Sequence, residues 1–153
     1  MTNEAIARRF NQMASLMEVR GEDPFRIRSY RMAAEAIETW PTVMAEIAAE
    51  GTAGLQQIPG VGKAIAAKIV ELVEKGTFDA WERLTAETPA TVLDLLELPG
   101  VGPRTAATLH QKFKIASLDD LRKFAAGGGL EMVDGIGPKS AERITTALSR
   151  INS

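Results

Sequence analysis

The sequence predicts an all-α protein, and three observations carry that reading. Apolar residues recur at helical spacing in stretches that stop at glycine or proline, and no segment shows the alternating β-branched pattern of a strand. Third, three segments superimpose without gaps on one pattern: apolar residue, turn residue, glycine, β-branched residue, glycine, helix. They are Gln57-Ile-Pro-Gly-Val-Gly-Lys-Ala-Ile-Ala-Ala-Lys-Ile69, Glu97-Leu-Pro-Gly-Val-Gly-Pro-Arg-Thr-Ala-Ala-Thr-Leu109 and Met132-Val-Asp-Gly-Ile-Gly-Pro-Lys-Ser-Ala-Glu-Arg-Ile144, with first glycines 40 and 35 residues apart.

Each element follows from local signals. Residues 3–20 place Ile6, Phe10, Met13 and Met17 on one helical face and stop at Gly21. Asp23-Pro24 opens a second helix, which runs to about Thr39. Further helices are predicted over 42–50, 63–75, 78–86, 89–96, 103–113, 118–125 and 138–151, with Ser117 and Asp120 spaced like a capping box. A break near Thr85-Ala-Glu-Thr-Pro89 divides the chain into a domain 1–84 with the first hairpin and a domain 85–153 with the other two; Gly127-Gly128-Gly129 is a loop inside the second.

The hairpins are the candidate site. Glycine tolerates positive φ at a tight reversal and lets backbone approach a ligand closely. The β-branched residue between the glycines plugs the turn into the core. Pro103 and Pro138 stand at the first helical position, where a fixed φ helps and a missing N–H costs little, and Lys63 stands there in the first copy. Unpaired amides and the positive end of the following helix then make an anion site suited to phosphate. The predicted binding residues are Gly60, Val61, Gly62 and Lys63; Gly100, Val101, Gly102, Arg104 and Thr105; and Gly135, Ile136, Gly137, Lys139 and Ser140. Asp134 replaces the proline of the other copies and puts negative charge beside the phosphate, so the third hairpin reads as the weakest and nearest to a packing role.

Charge placement agrees. The net charge of −2 argues against nucleic acid if taken alone. However, residues 101–114 carry Arg104, Lys112 and Lys114 and no acid, while residues 32–61 carry four glutamates and no base, so basic hairpin segments alternate with acidic connections. The fold can present positive faces. With no cysteine and one histidine, His110, the chain offers no disulfide and no thiolate or imidazole cluster for zinc. Neither a Walker phosphate loop nor a dinucleotide fingerprint is present. No apolar run approaches a membrane span, and a cytoplasmic monomer without membrane contact is expected.

The Gly-Val-Gly and Gly-Ile-Gly turns resemble the helix-hairpin-helix motif. The run Asp23-Pro-Phe-Arg-Ile-Arg-Ser-Tyr-Arg-Met-Ala-Ala-Glu-Ala-Ile37, followed by Ile58 to Ile69, is similar to the N-terminal region of family X DNA polymerases, and the third hairpin to their bacterial branch. The resemblance implies a lyase-like domain that engages the downstream strand of gapped DNA and a fingers-like domain on the primer-side duplex. It also implies that Lys68 is a Schiff-base nucleophile toward an abasic sugar, with Tyr30 and Arg26 around the 5′-phosphate and with Lys63, Arg26 and Arg31 as sources of positive charge. Ala64, Ala67 and Ala80 stand where the animal enzyme carries charged helpers. Family hairpins further hold Na⁺ or K⁺ through main-chain carbonyls, here those of Gln56, Ile58 and Val61, then Leu96, Leu98 and Val101; no other cofactor is required. The polymerising palm is absent from this chain: two-metal chemistry needs close carboxylates, and no Asp-x-Asp occurs. Three readings follow from the residues: binding to gapped, nicked or duplex DNA through its backbone, a 5′-deoxyribose-phosphate lyase through Lys68, and a helical scaffold for protein partners.

Overall fold

The computed structural model describes residues 1–151 and resolves them into two compact units, one of Met1–Ala86 and one that begins at Glu87. Asn152 and Ser153, the last two residues of the predicted second domain, lie outside the described residues. Every regular element among the described residues is helical, as the sequence predicts, and none is long and apolar enough to cross a membrane.

In the first unit, α1 (Asn3–Val19) packs along α2 (Pro24–Thr39). The face predicted for α1 is buried, with the Phe10 ring 5.9 Å from Tyr30 and 5.7 Å from Phe78. Two caps join the helices across four residues, 20–23. Gly21 adopts φ +69°, and the amides of Gly21 and Glu22 close back on the carbonyls of Glu18 and Met17. Asp23 then accepts the Phe25 amide at 3.0 Å, and Pro24 starts α2. The unit continues through α3 (Met44–Ala48), a 3-10 turn at Leu55–Gln57, α4 (Lys63–Lys75) and α5 (Asp79–Glu87).

The second unit contains α6 (Val92–Leu95), α7 (Pro103–Phe113), α8 (Leu118–Ala126), a 3-10 turn at Gly129–Met132 and α9 (Pro138–Ile151) around Leu95, Leu109, Leu121, Leu130 and Ile144. A variant of the capping box forms: Ser117 Oγ accepts the Asp120 amide at 3.1 Å, while Asp120 Oδ2 accepts the amide of Ala116, one residue before the cap, at 3.0 Å.

Two helices are shorter than predicted. The 42–50 segment yields only α3, because Val43 offers no capping side chain and the end unwinds toward Gly51 at φ +99°. The 89–96 segment keeps one α-turn. The amides of Val92, Leu93 and Asp94 bond three residues back to Pro89, Ala90 and Thr91, which is 3-10 geometry.

Candidate nucleic-acid interface

The three hairpins share one backbone solution. Gly60, Gly100 and Gly135 adopt φ of +96°, +78° and +91°, the left-handed region in which a Cβ is penalised. The second glycine differs: Gly62 and Gly102 are extended, at φ −87° and −94°, and serve as helix N-caps without a side-chain cap. What Gly62, Gly102 and Gly137 supply is room, since a Cβ built at any of them meets nothing within 4 Å.

Helical bonding starts late after each turn. The first i→i−4 bonds run from Ala66 to Gly62, from Ala106 to Gly102 and from Ala141 to Gly137, at 2.9, 3.0 and 2.9 Å. The amides of Lys63, Ala64 and Ile65 therefore have no intrahelical partner; nor do those of Arg104 and Thr105, or of Lys139 and Ser140. With Gly62, Gly102, Lys63, Arg104 and Lys139 exposed, these are donors available to an anion.

One part of the predicted site needs correction. Val61, Val101 and Ile136 do not face a ligand: their side chains are buried, and their amides bond Ile58, Leu98 and Val133 carbonyls at 3.0, 3.2 and 3.1 Å. They anchor the turn, as the sequence reading of a core plug anticipates, and cannot also donate to phosphate.

Thr105 and Ser140 also each stand beside a second turn. A Cβ at Gly135 would lie 3.8 Å from Thr105 Oγ1, and one at Gly100 would lie 3.9 Å from Ser140 Oγ. The second and third hairpins thus pack reciprocally, each lending a hydroxyl side chain to the other's turn. The first hairpin rests instead on α2, where a Cβ at Gly60 would lie 3.5 Å from the Met32 carbonyl and 3.7 Å from Ala36. The third hairpin differs from the second in the charge of Asp134, which is exposed, and not in backbone.

Against the first hairpin lies a cleft of about 450 Å³ that gathers Arg26, Ser29, Tyr30 and Met32 of α2 with Gly60, Gly62, Lys63 and Lys68. Lys68, Tyr30 and Arg26, distant in sequence, are therefore brought together. Burial pushes the Lys68 ammonium below the usual lysine range, Arg26 and Arg83 add to the depression, and Glu71 opposes it. Tyr30 is pushed upward by burial, against the pull of Arg26, so its hydroxyl stays protonated at neutral pH.

Arg31 is not one of the charges acting on Lys68. Its guanidinium turns to α1, donating to the Asn11 carbonyl and side chain at 3.1 and 3.2 Å, to Ser15 at 3.0 Å and to Glu18 at 2.7 Å. Sequence reasoning missed Arg83, one helix away on α5, and Ser29, about one turn after Arg26 on α2. It also missed Phe25, which is 80% exposed at the start of α2 and presents an open aromatic face. Its position in the quoted Asp23-Pro24-Phe25 run was the available signal. Tyr30 and Trp81 join Phe10 and Phe78 in the core, with Arg9 stacked 4.7 Å over the Trp81 ring.

Among the described residues no group of three His, Cys, Asp or Glu side chains could hold a metal. The predicted carbonyl sites are of another kind. Ile58 and Leu98 each accept the turn amide and keep a second lone pair, an oxygen-only donor type that suits a hard monovalent cation.

Comparison with known proteins agrees with this geometry. Residues 1–78 match the helix-hairpin-helix domain, and residues 92–150 match the SAM-like helix-hairpin-helix tandem. The chain is 28% identical over 148 residues to the DNA polymerase/3′-5′ exonuclease PolX of Bacillus subtilis (strain 168), covering 97% of this chain and 25% of that protein. It is 32% identical over 121 residues to DNA polymerase lambda of Arabidopsis thaliana, covering 78% of this chain and 22% of that one. A 64-residue stretch is 38% identical to the Holliday junction branch migration complex subunit RuvA of Albidiferax ferrireducens, covering 42% of this chain and 34% of that protein. The chain thus spans about a quarter of the length of the polymerases it matches. Three turns of one geometry, an open second glycine in each and matches over both units agree with the resemblance to family X polymerases read from the sequence, and the chain belongs to the helix-hairpin-helix domain family.

Proposed function

We propose that this chain binds DNA without sequence preference, as a monomer in the bacterial nucleoid, and that it recognises gapped or nicked duplexes through sugar-phosphate backbone. The observation that carries this reading is the repeated set of unbonded amides beside Lys63, Arg104 and Lys139, each over an open glycine. Such donors contact phosphate oxygens and read no bases. The similarity to two DNA polymerases and to a Holliday junction subunit supports the same reading. Na⁺ or K⁺ held by the carbonyls of Gln56, Ile58 and Val61, and of Leu96, Leu98 and Val101, would bridge the turns to phosphate. Fluorescence anisotropy with a gapped, 5′-phosphorylated duplex tests the proposal: micromolar or tighter binding that falls steeply with salt is expected. Salt-independent or undetectable binding would sink it.

A second reading is favoured by one specific feature, the partly buried Lys68 beside Arg26 and Tyr30. A lysine held below its usual range supplies a neutral amine. That amine would attack the C1′ aldehyde of an abasic sugar, water would leave as the imine forms, and loss of the C2′ proton would expel the 3′-phosphate by β-elimination. Borohydride should then trap a covalent protein–DNA species that Lys68→Ala abolishes. If intact protein binds the abasic substrate yet gives no trapped species, the lyase is disproved and the binding function stands.

A further inference from the structure

One carboxylate stands within the positive field of the first hairpin's cleft, and the backbone fixes its place from both sides. Glu22 lies between the two helix caps: its amide closes α1 on the Met17 carbonyl at 3.0 Å, and the next residue, Asp23, commits its own carboxylate to the Phe25 amide. The Glu22 side chain is left to face two arginines. Its Oε2 lies 3.2 Å from Arg20 Nε, and its Oε1 lies 3.9 Å from Arg26 Nη1. Arg26 is the guanidinium that lines the cleft with Tyr30 and Lys68.

We propose that Glu22 is an internal competitor for the phosphate of a DNA strand end at this cleft: its carboxylate holds Arg26, and the phosphate must take Arg26 from it. The proposal rests on the reading of the cleft as a phosphate site. Arg20 makes the exchange inexpensive, because a carboxylate that loses Arg26 keeps a second guanidinium and is not stranded. The Arg26 and Glu22 side chains are 58% and 30% exposed, so their pair has the modest strength of a surface ion pair. Glu22 therefore acts as a dial on affinity and not as a lock, setting how readily a bound end is released.

Glu22→Gln keeps the side chain's length and removes its charge. Binding is read by anisotropy on gapped duplexes that differ only in a 5′-phosphate or a 5′-hydroxyl at the downstream strand, for wild type, Glu22→Gln, Arg26→Gln and the double variant. The expected result is a gain of about two- to five-fold for Glu22→Gln on the phosphorylated end, the range that a surface ion pair supports. No gain is expected on the hydroxyl end or in the Arg26→Gln background. Equal gains on both ends, or a gain that persists without Arg26, would show that Glu22 acts only through overall charge and would overturn the proposal, as would no gain at all. A wild-type protein that binds the two ends equally would remove the phosphate-site reading itself, and this inference with it.

Discussion

At the level of single residues, the chemistry concentrates on Lys68 and on the two glycines of each turn. Reaction through Lys68 needs the neutral amine, so adduct formation should rise with pH and reach its midpoint below the ordinary lysine value of 10.5. Arg26→Gln removes a cation that disfavours the ammonium; the midpoint should move up and trapping at neutral pH should slow. Glu71→Gln should move the midpoint the other way. Borohydride trapping rates measured across pH check both signs. The glycines separate fold from function. Gly60→Ala forces a Cβ into positive φ and should cost about 1–2 kcal/mol in thermal or denaturant unfolding. Gly62→Ala has extended backbone and open space, so it should unfold normally and yet lose DNA affinity, because the new methyl occupies the approach of the phosphate. The sequence displays both glycines identically. Only φ tells them apart, which is why one label as binding residues covers two different roles.

At the level of elements, helix identity was legible and helix placement was not. The stripe of Ile6, Phe10, Met13 and Met17 and the Asp23-Pro24 start are local signals, and both appear where the periodicity puts them. Nothing local says which way Arg31 turns, because i and i+1 neighbours on α2 face different partners and the choice is made by α1. Arg31 reaches Asn11, Ser15 and Glu18, so it fixes α2 against α1 while Arg26 and Tyr30 face the cleft. Arg31→Met should cost about 1–2 kcal/mol, a charged hydrogen-bond set discounted for partial exposure. Chemical denaturation measures the loss. If Arg31 fed the cleft directly, the same variant would instead change phosphate-dependent binding at unchanged stability. The short α3 and α6 were misjudged for a related reason: their apolar spacing fits a helix, but weak capping and 3-10 bonding stop them after about a turn.

At the level of the whole molecule, a net charge of −2 coexists with basic segments at the first two turns because most of the acids lie outside them. Affinity should therefore follow local cations and not the total. Each of Lys63→Gln, Arg104→Gln and Lys139→Gln should weaken binding uniformly across DNA sequences and lower the slope of log affinity against log salt by about 1 where a phosphate contact is lost. Lys139→Gln should have the smallest effect, given Asp134 in the same turn. A salt titration of the three variants on one duplex ranks them directly. This part of the interface was readable from the repeat and its charges. The reciprocal seating of Thr105 and Ser140 was not, since it joins residues of two repeats that no spacing rule connects.

That seating has an evolutionary consequence. A hydroxyl from one repeat stands at ordinary contact distance from where a methyl would sit in the other, so positions 105 and 135, and positions 140 and 100, are neighbours across the duplicated turn. A side chain longer than a methyl at position 100 or 135 would press on its neighbour's hydroxyl as well as strain the left-handed backbone, so a change in one copy of the turn is felt by its twin.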